Sequence, residues 1–229
     1  MADPQDDRVE ILSAHAPVEG YLARLFDPAQ NVYFSPCVPG ASCPNPQALS
    51  QIALAVLDTG LLSAHPYLRG RVQAEIDFTG EGPEDRNGHG STVALLALSG
   101  LPTQTLLNVK VMNAQGQGKP DWLMRGLDWC ADWARAHRQR LFVNLSCGVY
   151  HKRWGLRPCD ARCKLCEAAK RAAEAGAFLM MAAGNAGPDQ IPCPQRGALQ
   201  DRFAGIVVAA GRPGTQEPQP YSGPGNYCV

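Results

Sequence analysis

The sequence predicts a three-layer α/β fold built on a doubly wound, mostly parallel sheet. From Ile52 onward, short apolar runs alternate with longer segments of helical periodicity, the pattern of βαβ units. Several of the runs are apolar nearly throughout, as expected of strands covered by helices on both faces. The first run, Ile52 to Leu57, ends in Asp58-Thr59-Gly60. Open α/β sheets place their sites at such C-terminal strand ends.

In chain order, residues 1–50 read as an N-terminal arm of weak periodicity. Within it, Ser35 to Pro46 carries four prolines and the cysteines Cys37 and Cys43. Residues 51–229 read as one domain. Strands are predicted at 52–57, 72–78, 106–112, 141–146, 177–183 and 205–210, and helices at 89–99, 121–138 and 161–175. In the second helix Leu123, Gly126, Leu127, Cys130 and Ala134 recur at helical spacing, with Arg and Asp on the other side. The third is rich in alanine and ends at Gly176, a residue suited to a helix stop. Residues 211–229 are rich in proline and glycine and are predicted to be loop.

Composition narrows the function class. With 21 basic and 21 acidic residues the net charge is zero, which argues against electrostatic capture of nucleic acid or an anionic membrane. No apolar stretch reaches the ~18 residues of a membrane helix. The acidic N-terminus MADPQDDRVE lacks an apolar core for secretion, so a cytoplasmic location is expected. In that compartment the nine cysteines are expected as thiols or metal ligands rather than disulfides.

Three residues carry candidate chemistry. Asp58 ends an inner strand, although Asp-Thr-Gly also suits a tight turn. His89 follows a polar turn and opens the apolar helix that begins His89-Gly90-Ser91-Thr92. An imidazole beside a carboxylate is fixed in one tautomer and its other nitrogen can take a proton; an isolated histidine there would simply cap the helix. Asn185 ends the run Ala182-Ala183-Gly184-Asn185. Small residues such as Gly184 admit a substrate backbone, and a side-chain amide can donate to a developing oxyanion; Gly-Asn is equally common in turns.

Taken in order, these motifs resemble the subtilisin-like serine peptidase family (peptidase S8/S53 type) over roughly residues 50 to 225. Asn87 to Thr92 resembles the catalytic-histidine motif. Asn108-Val109-Lys110-Val111-Met112 with Gly116-Gln117-Gly118 is similar to the family's Val-Lys-Val strand and following turn. Gly126-Leu127-Asp128-Trp129 resembles the next helix. Asn144-Leu145-Ser146-Cys147-Gly148 resembles the strand that pairs with substrate. Ile206 to Gly211 and Ser222-Gly223-Pro224-Gly225 resemble the late strand and loop. The resemblance implies a subtilisin-like fold and acyl transfer. Asp58 would orient His89, His89 would act as base and acid, and Asn185 would stabilise the oxyanion. Ser146, Cys147, Gly148 and Gly184 would bind a polypeptide substrate or peptide ligand.

The chain departs from this pattern in three places. The family's nucleophile motif, Gly-Thr-Ser-x-Ala, is not in the sequence, and Ser222, the one serine after Asn185, matches an earlier loop. The expectation is therefore a peptidase domain whose nucleophile is absent from this chain, C-terminally incomplete and inactive alone. A second chain or segment would supply the missing part. The alternative is an inactive pseudoprotease acting as a peptide-binding or scaffold module. Next, Ser99-Gly100-Leu101-Pro102 leads almost directly to the following strand, so no calcium site is expected in the loop after His89, and no cofactor is required. Finally, Cys159, Cys163, Cys166 and Cys193 have the donor chemistry of a structural zinc site. In the implied fold their two loops lie near each other, close to the specificity pocket. Unrelated thiols are the other reading, and a metal- or redox-responsive role is a third function class. The Cys-x3-Cys-x2-Cys spacing also matches an iron–sulfur motif, here set within a peptidase pattern.

Overall fold

The structure is a computed structural model that describes residues 9–11, 46–100, 103, 105–150, 159–211, 217–225 and 227–228. Most of the N-terminal arm, with Cys37 and Cys43, lies outside them. The central sheet uses strands β2 (Ile52–Asp58), β3 (Val72–Asp77), β4 (Thr105–Lys110), β6 (Arg140–Leu145), β8 (Phe178–Ala182), β9 (Gly205–Ala209) and β10 (Tyr227–Cys228). Their spatial order is β10-β9-β8-β6-β2-β4-β3, and every neighbouring pair is parallel. β2 lies between β4 and β6 with nearly complete registers on both sides. That central position explains its unbroken apolar sequence.

Side chains of β2 alternate between two cores, as the period of a strand requires. Ala53, Ala55 and Leu57 join the larger core with Leu107, Val109, Leu141, Val143 and Leu179. Helices α3 (Pro120–Ala136) and α4 (Lys164–Glu174) cover that face through Leu123, Leu127, Cys130, Leu165 and Ala169. Gly126 is required there, because a Cβ would stand 2.8 Å from Val111 Cγ1. Leu54 and Val56 face the smaller core with Leu95 and Leu106, under helix α2 (His89–Gly100). Phe142 and Met180 are only partly buried at the margin of this second core.

A second, three-stranded sheet has the order β5-β1-β7. It consists of β1 (Val9–Ile11), β5 (Gln117–Gly118) and β7 (Cys147–Val149), with β1 antiparallel to both neighbours. Two short helices, α1 (Pro46–Leu49) and α5 (Gln195–Leu199), complete the elements. Among the described residues no helix is long and apolar enough to cross a membrane.

The six predicted main strands and three main helices are found within a few residues of their expected bounds. Two expectations are corrected. Residues 211–229 are not all loop, because Tyr227 and Cys228 pair with Val208 and Ala209. The third helix begins at Lys164 rather than 161, because Ala161 takes φ 61° and cannot start a helix.

Candidate active site

Asp58 and His89 meet at the C-terminal edge of the sheet. Nδ1 of His89 donates to Oδ1 of Asp58 over 2.7 Å. Both side chains are buried, at 1% and 0% exposure. The same Asp58 oxygen accepts the Thr59 N–H, while Oδ2 has no hydrogen-bond partner among the described residues. With Nδ1 committed to the carboxylate, Nε2 is the nitrogen through which the ring exchanges a proton. Burial is the largest influence on His89 and lowers its pKa. The charge of Asp58, its hydrogen bond and the charge of Asp85 together outweigh burial and hold the imidazole above its ordinary value.

Close approach of two backbones brings the pair together. A Cβ on Gly90 would collide with the Gly60 carbonyl oxygen and come within 3.1 Å of Asp58 Cβ. Only glycine fits between the first turn of α2 and the end of β2. Asp85 fixes that turn. Its Oδ1 accepts from the Thr59 hydroxyl and from the N–H groups of Asn87 and Gly88. Its Oδ2 accepts from the N–H and hydroxyl of Ser91. Thr59 Oγ1 in turn accepts the Gly90 N–H. Lys110, fully buried, donates from Nζ to the Glu84 carbonyl at 2.8 Å, beside Glu81 Oε2 at 3.7 Å. Asp85 was not singled out in the sequence. Its signal was its place in a polar turn four residues before His89.

Two short strands flank the pair. β7 starts beside it, since the Cys147 thiol donates to the Leu57 carbonyl over 3.8 Å. Cys147 is buried, and burial first, then the charge of Asp58, raises its thiol pKa well above the usual value. It is therefore a packed thiol and not a thiolate nucleophile. The opposite wall, β5, is tied to the histidine turn through Asn87 Nδ2, which donates to the Ala114 carbonyl. Between the walls lies β1, with Val9 opposite both Gly118 and Val149, and Glu10 opposite Gly148.

Gly184 and Asn185 line a cavity of about 420 Å³ with Asn144, Ser146, Met180 and Ser222. The Asn185 N–H donates to the Tyr150 hydroxyl over 3.0 Å. Gly184 takes φ 100°, and a Cβ there would collide with that hydroxyl. Tyr150 is a second residue the sequence did not mark, because this contact joins residues far apart in the chain. Ser146 Oγ accepts from Asn144 Nδ2. Ser222, at 3% exposure, accepts the Ala210 N–H and donates to the Gly223 carbonyl, so its hydroxyl ties down a loop. Gln195 joins the ends of β7 and β8 by donating to the carbonyls of Cys147 and Ala182. The sulfurs of Cys159, Cys163, Cys166 and Cys193 converge, all within 4.8 Å of one another.

A buried carboxylate–imidazole pair on a parallel α/β sheet, beside short strands that hold an extended segment, has the architecture of a serine-peptidase domain. Comparison with known proteins agrees. The chain belongs to the subtilase family, whose model matches residues 50–228. It is 33% identical to a subtilisin-like protease of Coccidioides posadasii over 144 residues, 60% of this chain and 34% of that protein. It is 32% identical to the serine protease AprX of Bacillus subtilis over 153 residues, again 60% and 34% of the two chains. Among solved structures, sphericase superposes with a TM-score of 0.58 at 29% identity, covering 76% of this chain and 59% of its own. A cold-adapted subtilisin-like serine proteinase shares the fold, with a TM-score of 0.60 at 20% identity. The chain thus spans about a third of the two curated relatives named.

Proposed function

We propose that this chain is the acid–base and peptide-binding portion of a subtilisin-like serine endopeptidase, with its nucleophile supplied by a further segment or chain. Asp58 holds His89, and His89 takes the proton of an incoming serine and returns it to the leaving amine. Asn185 donates to the oxyanion, and β7 takes the substrate as an added strand. The observation that carries this reading is the filled gap beside the Asp58–His89 pair. β5 and β7 already hold one extended segment, Val9–Ile11, by antiparallel pairing.

The surroundings support delivery of the nucleophile from elsewhere. Ser222 and Cys147 are both committed to internal contacts. On the face of the sheet that α2 shares, Phe142 and Met180 are only partly buried, and Met180 lines the cavity.

Labelling with a fluorophosphonate probe, which reports an activated serine, tests the reading. The chain of 229 residues is expected to stay unlabelled. The chain extended by a subtilase Gly-Thr-Ser-x-Ala helix is expected to label, and H89A in that extended form to abolish the label. Labelling of the 229-residue chain at any serine would overturn the assignment of the nucleophile. Peptide binding without labelling in either form would make this a peptide-binding module.

A further inference from the structure

We propose that Cys159, Cys163, Cys166 and Cys193 hold one zinc ion that staples the two loops behind the peptide-binding strand. The four sulfurs come from two parts of the chain, residues 159–166 and Cys193. Cys159 and Cys163 precede α4, Cys163 is its N-cap, and Cys166 lies in its first turn. Cys193 lies between β8 and α5. All four sulfurs nevertheless lie within 4.8 Å of one another, and those of Cys163 and Cys166 are 3.5 Å apart.

That spacing selects the kind of metal site. A tetrahedral ion with Zn–S bonds of about 2.3 Å sets its sulfurs roughly 3.8 Å apart, within the span observed. A disulfide needs sulfurs about 2.05 Å apart, so the Cys163 and Cys166 sulfurs are not bonded. A four-iron cluster seats each thiolate on a different iron and would hold the sulfurs further apart. Thiolate donors suit a soft or borderline cation and exclude calcium or magnesium. Four protein ligands leave no open coordination position, so the site is structural.

The local backbone fits this arrangement. Ala161, buried and at φ 61°, turns the chain between Cys159 and Cys163. The N-terminus of α4 carries no side-chain cap hydrogen bond, and its positive end favours thiolates beside it. Cys193 exchanges both backbone hydrogen bonds with Val149, each 2.9 Å. A metal there would therefore anchor the end of β7 directly. Cys130 and Cys147 are buried in the same core but lie outside this group of converging sulfurs.

Zinc binding at these thiols is independent of whether the cleft cuts peptides. The 229-residue chain, purified under reductant and desalted, should carry about one zinc per chain by plasma mass spectrometry. C193S should lose that zinc, and C130S should retain it. Cobalt exchanged into the wild type should show the intense sulfur-to-cobalt charge-transfer bands of a tetrathiolate site. This second readout does not depend on C193S folding. Zinc below about a tenth of an equivalent in wild-type protein that also fails to show those cobalt bands would overturn the proposal. So would stoichiometric iron, or a disulfide among these four residues in the peptide map.

Discussion

The imidazole of His89 and the carboxylate of Asp58 share one hydrogen bond of 2.7 Å inside the protein, where neither side chain reaches solvent. Four predictions follow from this pair and its surroundings.

The first concerns pH. The His89 pKa is raised on folding, so the folded state binds the imidazole proton more tightly than the unfolded chain. Its contribution to stability is fully present below the unfolded value of about 6.5 and is lost as pH rises through the higher folded value. Urea midpoints of wild type and H89Q, measured from pH 5.5 to 9, should therefore converge as pH rises. A constant difference across that range would contradict the raised pKa.

The second isolates orientation from folding. D58N keeps the shape of the side chain but places an amide where His89 needs an acceptor. In the serine-bearing extended form, kcat should fall by about 10⁴, with KM little changed. Circular dichroism should show the fold intact.

The third concerns the cavity wall at Gly184 and Asn185. G184A meets both a positive φ and the Tyr150 hydroxyl and should cost about 2 to 3 kcal/mol in chemical denaturation. Y150F leaves the Asn185 N–H without this acceptor and should cost about 1 to 2 kcal/mol. The double variant should be more stable than the sum predicts, by at least about 0.5 kcal/mol, because the collision is gone while the strained φ remains.

The fourth concerns the occupied cleft. β1 uses its backbone against both β5 and β7. E10P removes an N–H from that strand and fixes its φ. Binding of a fluorescent extended peptide, followed by anisotropy, should tighten by roughly tenfold or more, since the competing occupant is displaced. Unchanged affinity would mean that peptides bind elsewhere.

The main sheet was legible in the sequence because its inner strands are buried on both faces. Ile52 to Leu57 reads as an apolar run for that reason; Phe178 to Ala182 is apolar too, although only its alternate residues Leu179 and Met181 are fully buried. β1, β5 and β10 were not legible, whereas Cys147 and Gly148 of β7 were marked through the family resemblance. Those three strands are two or three residues long, too short for a period, and each depends on pairing with a distant segment. The acid and base could be found because they end a strand and open a helix. Asp85 and Tyr150 could not, because their roles lie in hydrogen bonds to backbone groups that only the fold brings near. The cysteine cluster was visible as a spacing, and only the Val149–Cys193 bridge shows what it would tie together.

β10 has a consequence for solubility. Its two residues pair with Val208 and Ala209 of β9 at the margin of the central sheet. A bare run of amide and carbonyl groups along a sheet margin is a template for pairing with another copy. Shortening the chain by its last three residues would remove that pairing and uncover β9 at Val208 and Ala209. Such a variant is expected to self-associate in a concentration-dependent way, through its backbone and irrespective of the cleft.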